Sequence, residues 1–149
     1  MSNGVIIAAR ATKDCGKTTA IRSIWFYLKK RNAKVISEKE YDNQEPGKPG
    51  DVQAVLEYQG IKIGISSMGD PGIEQAEILD EFTKVDCRII ICACRTWGQT
   101  KDPIDALANS WDIRYIRDTD SGYGFISIDQ MWDELMRAIH LMKQHFAED

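Results

Sequence analysis

The chain has 149 residues, 43% of them apolar, with 19 Lys and Arg against 23 Asp and Glu for a net charge of −4. That is enough for one domain with a real core and too few for two, and the acidic balance argues against a general nucleic-acid surface. No apolar run reaches the length of a membrane span and the N-terminus lacks a basic-then-apolar leader pattern, so a cytoplasmic protein away from membranes is expected.

Residues 4–9 read as a buried strand. From Gly16 to Arg31 the apolar residues Ile21, Ile24, Trp25 and Leu28 recur at helical spacing. Lys29, Lys30 and Arg31 close that helix, where cations suit its dipole. Between strand and helix runs Ala11-Thr12-Lys13-Asp14-Cys15-Gly16-Lys17-Thr18, an A-x-x-x-x-G-K-T stretch followed by Thr19. Such a loop curls successive backbone N–H groups around a phosphate chain, and the helix behind it points its positive end at the anion. Lys17 is then placed to reach the outer phosphates and the Thr18 hydroxyl to sit on Mg²⁺.

This stretch resembles the Walker A motif of P-loop NTPases and kinases. One departure is visible, Ala11 in place of the usual glycine. The resemblance implies that residues Ala11 to Thr19 cradle a nucleoside triphosphate with Mg²⁺. It also implies an α/β fold: a three-layer α/β/α sandwich on a mainly parallel sheet.

Further along, Ala33 to Ser37 is expected to be a strand. Glu38 to Asp51 carries five acidic residues, two prolines and two glycines and reads as a long loop. Long loops in compact domains are often functional, which makes Glu38, Glu40 and Asp42 candidates to face a substrate or the metal, against the plainer reading of a solvated acidic loop. Val52–Tyr58 and Ile61–Ser66 form a hairpin around Gln59-Gly60, placing one antiparallel strand in the sheet.

The hairpin leads into Ser66-Ser67-Met68-Gly69-Asp70-Pro71-Gly72. Ligands gather at strand ends in open α/β sheets, and P-loop enzymes hold Mg²⁺ with an acid there. Asp70 is the candidate, with Ser67 behind it; Asp70 is equally suited to cap the next helix, with Pro71 at its first position. That helix, 71–83, is expected to bury Ile73, Ala76, Leu79 and Phe82. Arg88 to Cys94 is the most continuously apolar strand and reads as central. Arg95 emerges at its end, a candidate to stabilise a transferring phosphoryl group or to bind a second substrate's phosphate, as is Lys101. Pro103 is expected to start a helix capped by Asp102.

A short strand at 113–116 precedes the turn-rich loop 118–124, where Arg117 and Tyr123 are candidate contacts for the nucleotide base. Ser127-Ile128-Asp129-Gln130 is a capping box opening a helix to about Phe146, with Ile128, Trp132, Leu135, Ile139, Met142 and Phe146 as its buried stripe. His140 and His145 fall off that stripe. The four cysteines, at 15, 87, 92 and 94, lack metal-ligand spacing and read as reduced thiols. Cys15 differs, lying beside Lys13 and Lys17 before a helix N-terminus, where a thiol pKa falls.

Two functions follow. The first is an ATP-binding enzyme, an NTPase or a small kinase passing the γ-phosphoryl to an unidentified acceptor, with Lys17, Asp70 and Arg95 as its catalytic set and Thr18 and Asp70 on the metal. The second is a non-catalytic nucleotide switch that signals to a protein partner. ATP is preferred over GTP because neither the guanine-reading N/T-K-x-D pattern nor the D-x-x-G switch is met. The compact arginine-rich lid usual in small-molecule kinases is also missing.

Overall fold

The computed structural model describes residues 3–11, 16–42, 47, 50–68, 72–95, 104, 107, 109–117 and 125–148, with the backbone alone for Ala11, 72–75, Arg95 and 145–148. Along them run β1 (Val5–Ala11), α1 (Lys17–Lys30), β2 (Lys34–Glu40), β3 (Val52–Tyr58), β4 (Ile61–Ser66), α2 (Gly72–Lys84), β5 (Ile89–Arg95), β6 (Asp112–Arg117) and α3 (Ile128–Glu148). The strands form one mixed six-stranded sheet in the order β2-β3-β4-β5-β1-β6. β4, β5, β1 and β6 are parallel neighbours, while β3 runs against both β2 and β4. The fold is therefore α/β, with β3 as the reversed strand of the expected hairpin.

Apolar runs without alternation mark strands covered on both faces. β1 and β5 obey this rule. Val5, Ile7 and Ala9 of β1 and Ile89, Ile91 and Ala93 of β5 face a core shared with Ile21, Ile24 and Leu28 of α1 and Leu135 and Ile139 of α3. The intervening Ile6, Ala8, Ile90, Cys92 and Cys94 face Ile78, Leu79 and Phe82 of α2, with Trp111. Cys87, Cys92 and Cys94 are thus buried core thiols outside any disulfide. Burial of the α2 face departs from the expected stripe at Ala76, which is exposed, while Ile78 takes the inward place. The α3 stripe gains Met131 and Ala138.

The β3–β4 turn has φ of 54° at Gln59 and 81° at Gly60, the paired positive values of a type I′ hairpin. Ser127 accepts from the Gln130 N–H at 3.2 Å, as its capping-box position predicts.

The acidic stretch after β2 is shorter than expected. β2 continues to Glu40, so Glu38 and Glu40 lie on a strand and not in a loop. Both are engaged in tying that strand to α1. Glu38 accepts from Trp25 Nε1 at 3.0 Å and pairs with Lys29 at 3.0 Å; Glu40 pairs with Arg22 at 2.7 Å. Trp25 in turn carries Lys29 and Arg22 against its ring, 4.2 and 5.4 Å from the centroid. β2 is an exposed edge strand paired with β3, and these side chains tie it to α1 as well. These contacts engage Glu38 and Glu40 with α1; among the described residues Asp42 makes no such tie. No helix among the described residues is long and apolar enough to cross a membrane.

Candidate functional site

The carboxyl ends of β5, β1 and β6 lie side by side. Ala11 is level with Arg95, and Arg10 is level with Cys94 on one side and Arg117 on the other. β1 ends here, and the described chain resumes at Gly16. Thr12, Lys13, Asp14 and Cys15 lie outside the described residues, as do Asp70, Lys101, Asp102, Pro103 and Tyr123.

Gly16 is the N-cap of α1, with φ 77° and ψ 21°, a left-handed geometry that glycine adopts without steric cost. Its carbonyl takes the first helical hydrogen bond from Ala20 N–H at 2.8 Å. Most helices satisfy their first N–H groups with a capping side chain or place an acid in the first turn. Among the described residues, α1 has no side-chain cap and no acid in its first turn.

Lys17 spans from that helix end to the sheet. Its Nζ donates to the Cys94 carbonyl at 3.3 Å, at the end of β5. The ammonium thus lies at the carboxyl edge of the strands, beside the register position of Arg10. Thr18 is half-buried and Thr19 exposed. Thr19, Gly16 and Ala20 line one wall of a groove of about 470 Å³, whose other wall is Phe125, Ile126, Ser127, Ile128 and Asp129. Phe125 is 49% exposed there. Phe125 carries no helical or strand periodicity, so sequence pattern alone gave no reason to choose it.

β4, the strand that leads to Asp70, is separated from β1 by β5. Ser67 at its end is 4% exposed and fully used. Its hydroxyl donates to Asp51 Oδ1 at 2.8 Å and accepts from Val52 N–H at 2.9 Å. Ser67 therefore pins the end of β4 to the start of β3, and that bonding accounts for its burial without a metal. Arg95 is placed by its backbone at the end of β5, opposite Ala11. Arg114 is bound within the fold, to Glu134 at 2.8 Å and Asp112 at 3.1 Å, and these partners raise its pKa. Among the described residues, no three His, Cys, Asp or Glu side chains cluster as a metal site.

Arg10 is the residue that sequence reasoning passed over. Its Cζ lies 5.2 Å from the Tyr115 ring centroid. Its Nε is buried and donates to no partner among the described residues. Only the register between β1 and β6 brings it beside Arg117, so no local pattern announces it.

Compared with protein-family models, curated proteins and solved structures, the chain matches none of them.

Proposed function

We propose that the chain binds ATP with Mg²⁺ at residues 11–19, on a P-loop-like three-layer sandwich, and hydrolyses it or transfers its γ-phosphoryl group to a second substrate. The observation that supports this reading is the left-handed Gly16 at the N-terminus of α1, without a side-chain cap among the described residues, together with the Lys17 ammonium at the strand ends. A helix N-terminus and an adjacent cation suit a phosphate chain. Lys17 exchanges its carbonyl contact for the outer phosphates, and Thr18 offers a hydroxyl to the metal.

The groove between α1 and residues 125–129 extends from the same helix end and is large enough for part of a nucleoside. Phe125, half exposed at its wall, offers an aromatic face for the base. Asp70, reached from β4, and Arg95, at the end of β5, complete the proposed set as metal-holding acid and transition-state cation.

Thermal unfolding with ATP, GTP, ADP or no ligand, each with and without Mg²⁺, tests the reading. Ligand at about 100 times its dissociation constant stabilises by roughly 2.7 kcal/mol. A Mg²⁺-dependent shift with ATP, absent in Lys17→Ala, supports it. No shift with any nucleotide overturns it. Phosphate release above background then separates an enzyme from a binding module.

A further inference from the structure

The geometry points to a second anion site, on Arg10 and Arg117, that holds the phosphate or carboxylate of the acceptor substrate. It rests on the reading that the adjacent loop carries a nucleotide.

Arg10 and Arg117 are register partners on adjacent parallel strands. Paired residues of a parallel sheet project from the same face, so the two guanidinium side chains leave the sheet together. That face is the one covered by α2, since Ile6 and Ala8 of β1 point into its core. The position is the carboxyl edge of the sheet, where ligands of α/β folds gather.

The Arg10 Cζ lies 5.2 Å from the Tyr115 ring centroid, a cation–π contact that restrains the guanidinium. The contact leaves N–H groups of the guanidinium for a planar oxyanion. They include Nε, which is buried and has no hydrogen-bond partner among the described residues. A buried donor on a cation that goes unpaired is costly, and such groups ask for an explanation. An oxyanion supplies one: it accepts from Nε and an adjacent Nη in the bidentate geometry typical of Arg with carboxylate or phosphate. Arg117, exposed at the next strand, adds a second positive charge to the same face.

Position argues for an acceptor. Arg10 is level with Cys94, whose carbonyl holds Lys17 Nζ. A ligand on the Arg10 edge therefore lies at the same carboxyl edge of the sheet as the Lys17 ammonium, on the face covered by α2. A group held there is positioned to present its nucleophile to the γ-phosphoryl group, a gain in proximity that phosphoryl transfer depends on.

Isothermal titration of inorganic phosphate, and separately acetate, into the full chain tests the site. The titrations are run on wild type, on Lys17→Ala, and on wild type saturated with Mg²⁺ and a non-hydrolysable ATP analogue. The expected result is saturable binding of one of the two anions that persists in Lys17→Ala. That binding weakens at least tenfold in Arg10→Gln and in Arg117→Gln, and Arg10→Lys recovers only part of it. Preference for phosphate or acetate identifies the acceptor's anionic group. The site is overturned if anion binding vanishes in Lys17→Ala, if it is unchanged in both glutamine variants, or if neither anion saturates. Arg117→Gln, at an exposed position, carries the test should Arg10→Gln fail to fold. Because the Lys17→Ala arm needs no nucleotide, failure of the ATP reading and failure of this site register in different experiments.

Discussion

Lys17 Nζ donates to the backbone carbonyl of Cys94, joining the first turn of α1 to the end of β5 across 77 positions of sequence. The contact places the ammonium at the strand ends. Lys17→Ala is expected to lower the stability of the unliganded protein by about 1 kcal/mol or less, the worth of one partly exposed hydrogen bond. The same variant is expected to lose the nucleotide-dependent stabilisation entirely. Denaturant melts with and without Mg²⁺–ATP measure both; a large loss of basal stability with the nucleotide shift retained would reverse the assignment.

Glu38 and Glu40 give the opposite pattern. Their carboxylates hold β2 against Trp25, Lys29 and Arg22, on an edge strand that is exposed throughout. Glu38→Ala leaves Trp25 Nε1 without its acceptor and is expected to cost about 1–2 kcal/mol. Glu38→Gln, which keeps an acceptor, is expected to cost less. Neither changes the thermal shift produced by ATP. A nucleotide shift that disappears in these variants would return the two residues to the site.

The two strands that sequence reading placed best, β1 and β5, are those buried on both faces, where an unbroken apolar run has no competing explanation. The β3–β4 hairpin was equally plain because Gln59-Gly60 is turn chemistry and Ile61, Ile63 and Ile65 alternate. β2 was cut short at Ser37 because Glu38, Lys39 and Glu40 look like loop. An edge strand facing solvent carries no burial pattern to extend it, and its anchors are salt bridges that depend on where α1 lies. Site legibility divided in the same way. Gly16, Lys17 and Thr18 sit in a contiguous motif with a stated chemistry, whereas Arg10 and Phe125 acquire meaning only from strand register and the approach of α1 to residues 125–129.

Gly64 in β4 marks a close approach that no other residue type allows. A Cβ there would lie 2.6 Å from Phe82 Cγ, beneath the ring by which α2 covers the sheet. Gly64→Ala is expected to destabilise by about 1–3 kcal/mol, the usual cost of overpacking a filled core. The cost is expected to be partly recovered in Gly64→Ala/Phe82→Leu, since neighbours in contact couple. Gly4→Ala is expected to be worse, because its Cβ would lie 2.1 Å from the Arg88 carbonyl oxygen, a backbone atom that also accepts from Val5 N–H. Chemical denaturation of the four proteins orders them; equal stability of Gly64→Ala and wild type would show that α2 packs elsewhere.

The buried thiols are expected to make stability fall at alkaline pH. Burial pushes the Cys87 thiol up from 9.0 to about 12, and moves Cys92 in the same direction. Below pH 9 the thiol is protonated in both folded and unfolded chains and has no pH-dependent effect. Between 9 and about 12 the unfolded chain releases the proton while the folded chain keeps it. The unfolded state then binds fewer protons, so stability falls as pH rises through that window. Cys87→Ala is expected to lower stability at pH 7 by leaving a small cavity, yet to flatten the decline between pH 9 and 10.5. Urea melts of both proteins at half-unit steps from pH 7 to 10.5 give the two slopes. Parallel slopes would mean that the Cys87 thiol titrates alike in the folded and unfolded chains, and that burial does not hold its proton. For the same reason Cys87 and Cys92 are expected to resist alkylation at pH 8 until the chain is unfolded. Cys15 is expected to react in the native protein and to be protected by ATP; labelling that ignores ATP would separate Cys15 from the nucleotide loop.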